Sequence, residues 1–201
     1  MIKNWNAFFP ARAAVLPVPR EPVYNRSVTQ STTIVELVRS KLNEQAEMVD
    51  HLVSLIPAHA LDWKPTIPVT AATASPFSVG ELLGHLLDCL AGFCATLYAA
   101  YPSELSHFVK LRELPVNHRC EVEEARARLR EYAAHVKEGF ALLTEADLLR
   151  GLPAAFVEDG EPLLTLLLGN LEHLINHKHQ LFTYLKQMGI QVTTRDLYRF
   201  R

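Results

Sequence analysis

His173 and His177 stand four residues apart in the segment Asn170-Leu171-Glu172-His173-Leu174-Ile175-Asn176-His177-Lys178-His179-Gln180. At about 100° per residue, this spacing places both imidazoles on one face of one helix, a single turn apart. The stripe through Leu166, Asn170, His173, His177, Gln180 and Tyr184 spans only about 80° and is mostly polar where its surroundings are leucine. His85 lies in another apolar stretch, Val79 to Tyr101, at the edge of the face that its leucines define. Three neutral imidazoles drawn from two helices can hold a divalent metal and leave a coordination position open to water or substrate. A histidine pair at this spacing has a plainer reading, as surface or hydrogen-bonded side chains. The elements that carry the residues decide between the two.

Composition limits what those elements can build. The chain has 201 residues, 49% hydrophobic and 21% charged, a profile that predicts one globular domain with a substantial core. Its 20 Lys+Arg against 22 Asp+Glu give a formal net charge of −2, which offers no general attraction to phosphate backbones or anionic membranes. Neither nucleic acid nor a membrane is expected as a partner. The cysteines, Cys89, Cys94 and Cys120, are odd in number, and the first two diverge on one helix. A disulfide framework is not indicated, so a reducing, cytoplasmic setting is expected. Pro10, Pro17 and Pro19 break the opening residues, so no signal peptide or membrane span is read there.

Residues 1–30 form a Pro-rich arm whose Trp5, Phe8, Phe9 and Val15 suit docking on the bundle or on a second subunit. From Ser31 or Thr32, apolar residues keep helical spacing from Ile34 to Leu55 until Pro57 ends the first helix. Residues 57–77 carry four prolines and make a connection well above the usual loop length. Ser78 with Glu81 is a capping box opening a second helix, whose buried face runs Val79, Leu82, Leu83, Leu86, Leu90, Phe93 and Leu97. A third helix is predicted from Val122 to Leu143, and a fourth from Pro162 to Met188, closed by Gly189. No convincing strand alternation appears. The expected fold is all-α, a four-helix bundle over residues 31–201 with long connecting loops, the first and third of which suggest that neighbours are not all antiparallel hairpins.

Several segments together resemble the DinB-like (DinB/YfiT) family of metal-dependent four-helix bundles. Leu61-Asp62-Trp63-Lys64-Pro65 resembles the piece after that family's first helix, and Ser78 to Leu86 resembles its helix bearing the first histidine ligand. His173 to Gly189 resembles the last helix, with Lys178 where the family often has Arg and His179 where it often has Gly. The likeness covers about residues 33 to 190. It implies His85, His173 and His177 as metal ligands, with nickel or zinc as the metal. Glu81, Asn170, Gln180 and Tyr184 are candidates to hydrogen-bond the ligand rings or touch substrate. His179, about 200° around the helix from His177, should face elsewhere, and Cys89 reads more simply as a buried hydrophobe than as a thiolate ligand. His51, His59, His107, His118 and His135 show no partner pattern and read as structural.

Two functions are compatible with these residues. One is a metal-dependent enzyme, a hydrolase or a transferase acting on a small molecule with a low-molecular-weight thiol; thiol-dependent transferases and isomerases are among the relatives the resemblance implies. The other is a non-catalytic metal-binding or stress-related helical protein. The resemblance and the apolar arm together suggest a homodimer. No catalytic base beyond the histidines is apparent.

Overall fold

The computed structural model describes residues 32–66, 75–154 and 157–198; the Pro-rich arm and the middle of the 57–77 connection lie outside them. Four long helices form: α1 (Ile34–Ser54), α2 (Val79–Ala100), α3 (Val122–Leu142) and α4 (Leu163–Gln187). A capping box opens α1 at Thr33 with Glu36, one or two residues later than predicted, and another opens α2 at the predicted Ser78 with Glu81. Pro162 is the cap of α4 rather than part of its first turn, and Gly189 follows that helix with φ of 80°. Every residue predicted for the buried face of α2 is at most 1% exposed. By composition α2 is long and apolar enough to cross a membrane, but its leucines are spent in the bundle core. Each such leucine is worth roughly 1.5–3 kcal/mol when removed from water.

The helices α1 and α2 both pack on α3 and on α4, so α1 faces α2, and α3 faces α4, across diagonals of the bundle. Asp50 of α1 pairs with Arg126 near the start of α3, while the Val35 N–H reaches Glu145 beyond the end of α3, so these two run antiparallel. Between α2 and α4, His85 meets His177 and Thr96 meets Asn170, which is also antiparallel. By contrast α2 and α3 run the same way. Residues 101–121 must therefore travel back along α2, and they do so through a 3₁₀ segment, Ser106–Glu113. The first and third connections cross the diagonals, which accounts for their length.

The structure adds elements that the sequence pattern does not show. A two-stranded antiparallel hairpin, β1 (Gly151–Ala154) with β2 (Val157–Pro162), lies between α3 and α4, where no strand was expected. Strands of 4 and 6 residues with an irregular register are too short to display an alternation. A short α5 (Thr194–Leu197) follows α4 and is tied back by Lys178, whose Nζ donates to Gln45 Oε1 at 2.6 Å and to the Leu197 carbonyl at 2.9 Å. Lys178 is 1% exposed, and burial lowers its pKa.

Candidate metal centre

Glycine at position 84 lets a loop reach the first histidine. A Cβ there would lie 1.9 Å from the His118 carbonyl oxygen, so only a residue without one allows the 115–121 segment to lie on α2. The segment is pinned by the Asn117 N–H to the Gly84 carbonyl and the Cys120 N–H to the Gly80 carbonyl, each at 3.0 Å. Asn117, with φ of 55°, turns its side-chain oxygen onto His85 Nδ1 at 2.5 Å. Asparagine tolerates this left-handed backbone better than most residues.

The other side of His85 faces α4. Its Nε2 is 3.2 Å from His173 Nε2 and 3.0 Å from His177 Nε2, with the three rings edge to face. Phe77, 37% exposed, leans over His85 with ring centroids 5.0 Å apart and also borders His177. All three histidines are partly exposed, so the cluster reaches solvent.

Hydrogen bonding fixes which nitrogen of His177 carries a proton. The Tyr184 hydroxyl donates to the Phe77 carbonyl at 3.2 Å and accepts from Gln180 Nε2 at 2.9 Å. Gln180 Oε1 therefore faces His177 Nδ1, at 2.8 Å, and takes its N–H. On His85, Asn117 Oδ1 likewise takes the Nδ1 proton. Both Nε2 atoms then present lone pairs to one another at 3.0 Å, an arrangement that is repulsive until a cation sits between them. Burial lowers the pKa of His173, with help from His85; burial also lowers that of His177, against the Gln180 bond and with His85 and His173 adding to it. Neutral rings with free lone pairs are what a divalent ion requires. The donor set fits a metal.

The remaining predicted residues are placed as follows. Gln180 and Tyr184 belong to the chain of bonds behind His177. Asn170 instead bonds the Thr96 hydroxyl at 2.9 Å, against Gly92, where a Cβ would come within 2.9 Å of its oxygen. Glu81 is occupied by its capping box and by Lys64 at 3.0 Å. The His179 ring turns to the Tyr198 hydroxyl at 3.1 Å. Cys89 is 1% exposed, and burial with the Asp88 charge pushes its thiol up to about 12, so it stays a protonated apolar filler. Trp63 packs edge to face on Tyr184 at 5.2 Å, securing the 57–66 stretch beside the site. Asn117 and Phe77 escaped the sequence reading because both lie on connections with no periodic signal.

A family model described as the DinB superfamily matches residues 41–181. A search of curated proteins finds no match. Among solved structures, the fold is similar to that of a DinB-like protein, YjoA, from Bacillus subtilis, with a TM-score of 0.57 and 20% identity over 78% of this chain and 94% of that one.

Proposed function

Because this chain belongs to the DinB superfamily and its bundle gathers three imidazole Nε2 atoms around one point, we propose that it is a metal-dependent enzyme whose divalent ion is held by His85, His173 and His177. When bound, the ion supplies Lewis acidity and lowers the pKa of a water or thiol beside it. The groups behind the ligand rings of His85 and His177 are side-chain amides, Asn117 and Gln180, which orient the rings and add no negative charge. The three neutral ligands themselves offset none of the charge of the ion, and the Asp88 carboxylate acts on His173 without ligating, a setting that leaves room for an anionic partner such as the thiolate of a low-molecular-weight thiol. Phe77 offers an apolar wall at the same opening, suited to the carbon skeleton of a small electrophile. Thiol transfer is therefore preferred over hydrolysis, with nickel and zinc the leading metals.

The observation that carries this reading is the pair of facing Nε2 lone pairs on His85 and His177. Elemental mass spectrometry after exposure to limiting nickel and zinc should find metal in the native protein and in His179→Ala, and its loss in His85→Ala and His173→Ala. Turnover of an electrophile by the loaded protein with a panel of small thiols then separates an enzyme from a protein that only stores or is stapled by its metal. Absence of metal from every sample would overturn both.

A further inference from the structure

His118, Cys120 and Glu124 gather on the other side of the loop that carries Asn117, with one ligating atom from each lying within 4.8 Å of the others. The spacing His-x-Cys-x-x-x-Glu runs from the pinned 115–121 segment into the first turn of α3. His118 Nε2 lies 3.0 Å from Glu124 Oε1. An ion beside Glu124 would meet this same Nε2, with the proton carried on the opposite nitrogen, Nδ1, which is buried and has no hydrogen-bond partner. Cys120 is fully buried, its Sγ directed to the Glu121 carbonyl at 3.5 Å.

We propose that His118, Cys120 and Glu124 form a second metal site, separate from the three-histidine centre and selective for zinc. A thiolate, an imidazole and a carboxylate form a donor set that zinc accepts readily and harder ions do not. Binding breaks the Cys120 S–H bond, forms a sulfur–metal bond and releases the proton to solvent, with no change of oxidation state. The nearby Arg128, 3.7 Å from Glu124, opposes a cation, and the Glu121 carboxylate favours one. The thiolate and the carboxylate together cancel the charge of the ion. Without metal, burial and then Glu124 push the Cys120 thiol up to about 12, so the apo site holds its proton. An occupied site would fix residues 118–124 and, through the adjacent Asn117, the orientation of His85.

Cobalt distinguishes this site from the first, because only a thiolate ligand gives a sulfur-to-cobalt charge-transfer band. The full chain carrying His173→Ala, loaded with Co²⁺ alone, should show that band, and adding Cys120→Ser should abolish it. Glu124→Gln should weaken zinc at this site by about tenfold or more, while the native chain binds one equivalent of zinc more than Cys120→Ser. Should Cys120→Ser fail to fold, alkylation of His173→Ala mapped by peptide gives the answer: zinc should slow Cys120 and leave Cys89 and Cys94 unchanged. No band in the cobalt-loaded protein, a band that survives Cys120→Ser, or zinc without effect on Cys120 alkylation would each overturn the proposal.

Discussion

Gln180 stands three residues beyond His177 on α4, and its side-chain oxygen holds the Nδ1 proton of that histidine at 2.8 Å. The amide is itself fixed by Tyr184, which is anchored to the Phe77 carbonyl. A backbone oxygen in a connection thus determines which nitrogen of a candidate ligand is free.

Gln180→Leu removes that hold while keeping the helix. Metal affinity should fall about 10- to 100-fold, with the fold unchanged by circular dichroism. Gln180→Glu keeps an acceptor and should retain most of the affinity. Competition with a chromophoric chelator measures both, and equal affinity in Gln180→Leu and the native protein would show that the ring needs no such support.

Gly84→Ala tests the close approach of the loop to α2. A methyl group 1.9 Å from a backbone oxygen cannot be relieved by a side-chain rotation, so the 115–121 segment must move. A loss of about 3 kcal/mol is expected, at the upper end of overpacking costs, together with weaker metal binding as Asn117 leaves His85. Urea unfolding and the same chelator assay read the two effects separately.

Lys178→Met removes the donor shared by Gln45 and the Leu197 carbonyl. Leaving those acceptors buried should cost about 1–3 kcal/mol. Hydrogen exchange should quicken first in residues 193–198, which lose their tether to α4, and an unchanged exchange profile there would refute the tether.

Asp147 supplies a pH dependence of stability. Its carboxylate accepts from the Thr144 hydroxyl and backbone N–H, with Arg150 nearby, which holds its pKa at about 2, below the usual 3.8. The folded state therefore binds this proton less readily than the unfolded chain, so the stabilisation is complete above about pH 4 and is lost as pH falls through about 2. Thermal melts from pH 5 to pH 2 should show a steeper decline for the native protein than for Asp147→Asn.

The bundle and the three histidines of the candidate site were legible because helix periodicity encodes their helices and faces. The four-residue spacing of His173 and His177 determines their common face, and the leucines around His85 place it at the edge of α2. That α2 and α4 are neighbours was an assumption that packing supplies. Asn117 was not legible, since its position depends on Gly84 and Gly80 accepting a loop from 33 residues onward, a tertiary fact with no local pattern. Asn170 shares the histidine stripe and yet serves Thr96, which a helical wheel cannot foresee.

The candidate ligands from α2 and α4 are 88 and 92 residues apart along the chain, and the helices that bear them are joined through the parallel run of α3 and a diagonal crossing. Bringing them together closes a loop of about 90 residues, so an ion held there would report long-range packing of α2 on α4 rather than a local turn. The binding energy of such an ion would add to the stability of the bundle, rising with the logarithm of free metal. Scarcity of metal would then act on this protein as a loss of cohesion as well as of chemistry.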